Sequence, residues 1–194
     1  LVAIDAPLCL PSCLRDDEAT ARPIAEWFAQ RAGAASPYKK PQFTPYTQRA
    51  TEILLHARNV DIVPRETLGQ GMGPLTARGV FLARTLAPMF RLDENLLEVY
   101  PKATLVQLVG KKLADSYKRS GREKETRLEI LNSLPDLRFG PGQWKQFALE
   151  NDHKFDAVIC AYTAYLYARG ACIPPTEDER RVTSDGWIWI PEGR

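Results

Sequence analysis

Two short apolar runs, each stopped by a proline and each associated with one carboxylate, set the first limit on what this chain folds into. Leu1-Val2-Ala3-Ile4 leads into Asp5-Ala6-Pro7, and Leu96-Leu97-Glu98-Val99-Tyr100 leads into Pro101. Runs this short and this apolar read as strands buried in a sheet. A proline has no N–H to donate and biases its predecessor away from helix, so it ends the ladder behind each run. Asp5 therefore falls at the carboxyl end of a strand, and Glu98 falls inside one. A carboxylate among Leu97, Val99 and Tyr100 is costly to bury unless it is paired, hydrogen-bonded or bound to metal. On strict alternation, Glu98 could instead face water at a sheet edge.

The rest of the chain reads as mostly helical. Asp16 and Asp17 stand at the approach to a helix that begins near Pro23, buries Ile24, Trp27 and Phe28, and stops at Gly33. Residues 36–41 read as loop. Thr44 as N-cap with Pro45 behind it opens a helix through Arg58, with Tyr46, Ala50, Ile53, Leu54 and Ala57 facing inward and Arg49, Glu52 and His56 on another face. The turn from Gly69 to Pro74 leads into a helix from Leu75 to Phe90, interrupted near Pro88. Two polar helices span 103–117 and 123–134, separated at Gly121, and a short one spans 143–150. The strongest pattern runs from Asp152 to Arg169 and is closed by Gly170. Its Ala157, Ala161, Ala164 and Ala168 form a small-residue stripe suited to lying close on a sheet. Trp187-Ile188-Trp189-Ile190 reads as a last short strand. Three strands are few for such a sheet, and the deficit points upstream of Leu1.

Length and composition fit one globular domain of 194 residues. No apolar run approaches the roughly 18–20 residues that cross a bilayer, so the expectation is a soluble protein without a membrane partner. Cys9, Cys13, Cys160 and Cys172 show no CxxC spacing, which argues against a disulfide or zinc framework and for a reducing, cytoplasmic setting. A formal net charge of +2 is too small to mark the whole surface as a nucleic-acid binder. The one basic stretch is 111–127, where Lys111, Lys112, Lys118, Arg119, Arg122, Lys124 and Arg127 outnumber the acids; a solvated helical face and a phosphate-attracting patch both account for it. The glycines at 69, 71 and 73 lack the context of a phosphate-cradling loop, and no GxSxG is present.

Candidate chemistry rests on carboxylates. Asp156 lies one turn into the long helix, with Asp152 and His153 at i−4 and i−3 on roughly the same side. For Asp152, a favourable interaction with the helix dipole is an equal explanation. Mg²⁺ and Mn²⁺ take oxygen ligands from separate elements and can flank a phosphate. Asp5, Glu98 and Asp156 offer that donor set if their strands are neighbours.

Val2-Ala3-Ile4-Asp5-Ala6-Pro7-Leu8, Arg49-Ala50-Thr51-Glu52, Leu97-Glu98-Val99-Tyr100-Pro101, Phe155-Asp156-Ala157-Val158-Ile159-Cys160-Ala161 and Gly186-Trp187-Ile188-Trp189-Ile190-Pro191 occur in that order along nearly the whole chain. Together they resemble the family called domain of unknown function 429, grouped with predicted nucleases of RNase H-like fold. The resemblance implies an α/β domain with a mixed central sheet flanked by helices. It also implies Asp5, Glu98 and Asp156 as metal ligands and Arg49 and Glu52 close to them. Such folds begin with an antiparallel meander bearing a further aspartate, which this sequence does not supply. The expectation is a Mg²⁺- or Mn²⁺-dependent nuclease. The alternatives are a non-catalytic module of the same fold that binds nucleic acid or protein, and a hydrolase of small nucleotides.

Overall fold

The computed structural model describes residues 1–15, 18–32, 44–58, 60, 66–69, 71–118 and 121–193. The elements are β1 (Val2–Ile4), α1 (Ser12–Arg15), α2 (Glu18–Ala32), α3 (Ala50–Ala57), α4 (Met72–Leu86), β2 (Leu96–Val99), α5 (Pro101–Val109), α6 (Lys111–Ser116), α7 (Glu123–Ser133), α8 (Trp144–Leu149), α9 (Asp152–Ala168), α10 (Glu177–Arg180) and β3 (Ile188–Trp189). The strands form one small parallel sheet in the order β1-β2-β3, where the resemblance implied a mixed sheet. All four β2 residues and both β3 residues are buried, while β1 is half-buried. The apolar runs thus become strands as expected, and no helix of the described residues is long and apolar enough to cross a membrane.

The chain divides into two compact units, each assembled from separated segments. Unit 1 comprises 1–5, 99–173 and 189–194. Its core gathers Leu105, Tyr117, Ile130, Leu131, Phe155 and Ile159, and each such side chain contributes about 1.5–3 kcal/mol by leaving water. The helix expected over 103–117 is two helices, because Gly110 takes φ 84° and ψ 158° between them, a backbone that only glycine adopts readily. Pro101 opens α5 at a position where a missing N–H costs nothing. Asn151 caps α9 by accepting from the Lys154 amide at 2.9 Å, and Gly170 ends the helix with φ 70°.

The face that α9 buries differs from the alanine stripe. Ala157, Ala161 and Ala168 are exposed, and the packed residues are Phe155, Asp156, Ile159, Cys160, Tyr162, Thr163 and Ala164. Large apolar side chains remove more area from water than methyl groups, so Phe155 and Ile159 set the rotation of the helix. This face meets β1, α5 and α8, and it carries Asp156 inward.

Unit 2 comprises 6–98 and 174–188. Ile24, Phe28, Ala50 and Ile53 form its small cluster, with Trp27, Leu54 and Val182 packed against it. The helix expected from Pro23 begins at Glu18 and keeps Pro23 inside; the carbonyl this leaves unbonded belongs to Ala19, which is exposed to water. The segment 44–49 is a turn and an extended residue rather than helix, and Tyr46 is exposed. Arg49 is extended at φ −108° and ψ 153°, so α3 starts only at Ala50. Inside α3 the buried residues include Leu55, while Ala57 is exposed. Asp16, Asp17, the 36–41 loop and Arg119 lie outside the described residues.

In α4, Gly79 lets the helix lie against the segment that follows β1. A Cβ there would stand 2.3 Å from the Pro7 carbonyl oxygen and 3.2 Å from the Ala6 Cβ. Gly79→Ala is therefore expected to cost about 1–3 kcal/mol through a forced backbone shift, read as a lower urea midpoint. Gly140→Ala, whose Cβ would meet nothing within 4 Å, is the control and should stay within about 0.5 kcal/mol.

Candidate functional site

Each unit holds one cluster of carboxylates around a cation. In unit 2 the cation is Arg49, which is fully buried. Its Nη1 and Nη2 donate to Glu98 Oε2 and Oε1 at 2.7 and 2.6 Å. Its Nε and Nη2 also donate to Glu52 Oε1 at 3.2 and 2.6 Å. The two-pronged grip on Glu98 matches the fork of a guanidinium to the two oxygens of a carboxylate. Glu98 Oε2 accepts a further hydrogen bond from the Leu8 amide at 2.9 Å, and Thr67 Oγ1 donates to Glu52 Oε1 at 3.4 Å. Burial works against the Arg49 charge, but Glu52, Glu98 and Asp185 outweigh it and favour the charged guanidinium.

The negative charge around Arg49 exceeds its single positive charge. Glu52 Oε2 and both carboxylate oxygens of Asp185 are buried with no hydrogen-bond partner among the described residues. Burial raises the Glu52 carboxyl despite Arg49, with Glu98 adding to the rise. Burial likewise pushes Asp185 up to about 7; Arg49 opposes this and Glu52 reinforces it. Sequence reasoning missed Asp185, since Ser-Asp-Gly reads as a turn and nothing local says that it is buried.

In unit 1 the cation is Lys118. Its Nζ lies 2.7 Å from Asp156 Oδ2 and 3.6 Å from Asp152 Oδ2. Asp156 is buried, and its Oδ1 accepts from the Tyr117 hydroxyl at 2.9 Å. Asp5 is exposed at the end of β1, the strand on which α9 packs. Burial works against the Lys118 charge, but Asp156 first, then Asp152 and Asp5, raise its affinity for the proton. Burial pushes the Tyr117 phenol well above its ordinary value, with Asp156 and Asp5 adding to the rise, so it stays a donor. Burial, then Asp5 and Asp156, push the Cys160 thiol up to about 12. That thiol is therefore no nucleophile at neutral pH. Asp152 is lowered: burial opposes this, but its own backbone amide and then Lys118 prevail. His153 is exposed on α9.

The expected site residues thus fall into two sets. Asp5, Asp152 and Asp156 share the electrostatic surroundings of Lys118 in unit 1, and Arg49, Glu52 and Glu98 form the clamp of unit 2. Among the described residues, no group of three or more His, Cys, Asp or Glu side chains is arranged to hold a metal ion. Mg²⁺ is commonly held by one or two carboxylates together with waters and substrate phosphate. Asp5 and Asp156 suit that smaller donor set, one reachable from solvent and one fixed by Tyr117. Glu98 does not, because the guanidinium that grips both its oxygens is fully buried, whereas the Lys118 ammonium on Asp156 Oδ2 is partly exposed.

Two stability tests follow from the clamp. Arg49→Met leaves Glu98 buried without its cation and is expected to cost about 3–5 kcal/mol, measured by chemical denaturation. For Asp185, a native carboxyl raised from 3.8 to about 7 binds protons that the unfolded chain has released in between. Wild-type stability should therefore fall as pH rises through that window. Asp185→Asn is expected to flatten the fall and to exceed wild type by about 1–3 kcal/mol once the wild-type carboxyl is ionised.

No curated protein and no solved structure matches the chain. A family model described as "Protein of unknown function (DUF429)" matches residues 1–180, and the chain belongs to that family.

Proposed function

We propose that this chain is a divalent-metal-dependent phosphodiester hydrolase acting on nucleic acid, with Asp5 and Asp156 as its metal-holding pair and an RNase H-like arrangement of the sheet. The observation that carries this reading is the position of Lys118, an ammonium gripped by Asp156 and Asp152 and stabilised by the charge of Asp5. Asp156 and Asp152 on a packed helix, with the charge of Asp5 at a strand end, therefore favour positive charge at this place. A bound Mg²⁺ or Mn²⁺ would supply a Lewis acid for a phosphoryl oxygen and a water more acidic than bulk water.

The protein's own side chains do the positioning. Tyr117 remains protonated and holds Asp156 through Oδ1, which fixes the carboxylate and leaves Oδ2 to the cation. Asp5, exposed at the end of β1, would add an oxygen donor from the sheet. Lys118 competes with an incoming cation for Asp156, and once displaced its ammonium is free to pair with a phosphate oxygen. A groove of about 570 Å³ lined by Lys118, Lys124, Arg127, Glu123, Glu150 and Asp152 adjoins this place. Arg127 is committed to the carbonyls of Tyr117 and Leu149 at 2.9 and 3.3 Å, so Lys118 and Lys124 are the cations available to a phosphate. A non-catalytic module of the same fold is the competing reading, favoured by Asp156 already having both oxygens engaged.

The test is a calorimetric titration with Mn²⁺ joined to a cleavage assay on an oligonucleotide and on a mononucleotide ester. Lys118→Met is expected to tighten Mn²⁺ binding by removing the competing ammonium. Asp5→Asn and Asp156→Asn are expected to abolish it and to lower Mn²⁺-dependent oligonucleotide cleavage by about a hundredfold or more. Mn²⁺ binding indifferent to all three substitutions, or wild-type protein that binds Mn²⁺ and cleaves nothing, would overturn the reading. Turnover confined to the mononucleotide ester would move the substrate to small nucleotides.

A further inference from the structure

Unit 2 contains a cavity of about 430 Å³ that plays no part in the carboxylate clusters. Its walls are largely aliphatic, with Leu8 and Leu10 from the segment after β1, Val80 from α4 and Leu96 from β2. Three arginines, Arg15, Arg84 and Arg91, also line it, and no acidic residue does. Arg15 Nη1 approaches the Cys9 sulfur at 3.6 Å, and Arg91 makes a loose, exposed pair with Glu94 at 3.7 Å. Arg84, exposed on α4, has no ion pair among the described residues.

Apolar walls with a few converging polar groups are the usual make-up of a small-ligand site, and the volume falls in the usual range. Here the polar groups all carry one sign, so the ligand they complement is an anion with an apolar body. A nucleotide is a poor match: apart from the arginines and Cys9, the lining offers no side-chain hydrogen-bonding group to read a base edge. A branched or straight hydrocarbon needs none. The wall at Leu8 is held in place, because its amide donates to Glu98, which Arg49 grips in turn. A cavity with a fixed wall loses little order on binding.

We propose that this cavity binds an amphipathic monoanion, a medium-chain carboxylate, with its tail between the leucines and α4 and its head paired with Arg84 and Arg91. The arginines are exposed while Leu8 and Leu96 are buried, so the tail leaves water while the charged head stays close to it, the arrangement that amphipathic groups favour. The carboxylate can be gripped by both ends of a guanidinium fork.

The experiment is titration of decanoate, kept below its micelle concentration, into the 194-residue chain, with 1-decanol and decyltrimethylammonium as probes of the head group. Saturable one-to-one binding of decanoate is expected, at least about tenfold tighter than either probe and weakened by at least about tenfold in the Arg84→Glu/Arg91→Glu double variant. Ala83→Trp, which fills the cavity, is expected to abolish binding; if circular dichroism shows it unfolded, Ala87→Trp at the same wall provides the measurement. No saturable binding, equal binding of 1-decanol or the cation, or an unchanged affinity in the arginine double variant would each overturn the proposal. Self-association of the chain that decanoate does not disperse would assign the cavity to a second copy instead, and would also overturn it.

Discussion

A guanidinium taken out of water stays charged only where carboxylates replace its hydration. The burial of Arg49 between Glu98 and Glu52 is the condition on which much of unit 2 is built. The clamp reaches outward through ordinary hydrogen bonds. Glu98 holds the amide of Leu8, Glu52 receives Thr67, and the carbonyl of Thr67 receives the hydroxyl of Thr76 at the start of α4. Thr51, beside Glu52 in α3, accepts the amide of Ile188 at 3.1 Å. Segments distant in sequence are thereby fixed to one buried charge. Removing any one carboxylate would leave part of the guanidinium's hydrogen-bonding capacity unmet in a medium of low polarity.

The two carboxylate clusters do opposite things with similar residues. Around Arg49, acids outnumber the cation, both are shut away from water, and the excess charge is relieved by raised carboxyl affinities for protons at Glu52 and Asp185. Around Lys118 the cation is two-fifths exposed and Asp5 is open to solvent, so the same imbalance can be met by exchange with the surroundings. A sealed cluster stabilises a fold; an open one can take a ligand. The two clusters thus differ in access rather than in residue type: Arg49, Glu52 and Glu98 are buried, whereas Lys118 and Asp5 reach solvent.

Much of the scaffold was legible in the chain. The strands at Val2–Ile4, Leu96–Val99 and Ile188–Trp189 follow from short apolar runs beside prolines, and α7, α8 and α9 lie close to where their periodicity put them. The misplaced features have local physical causes. The start of α3 moved because Arg49 is held extended. The expected 103–117 helix split because Gly110 adopts a positive φ. The long helix turned a different face inward because Phe155 and Ile159 bury more area than alanines do. Pattern matching weighs positions within one element, whereas each of these outcomes was decided by what a neighbouring element offered.

The sequence by itself determined which residues could carry charge into the interior: acids at or within apolar strands and one turn into a helix have to be paired, protonated or bound. It could not determine the pairings. Glu98 and Arg49 are 49 positions apart and Tyr117 and Asp156 are 39 apart. Asp185 becomes a buried acid only because residues from other segments close over it. Electrostatic energy depends on separation in space and on the loss of water, and neither is encoded in spacing along the chain. Tertiary structure therefore decided which of the foreseen carboxylates is locked to a buried arginine and which is paired with a partly exposed lysine.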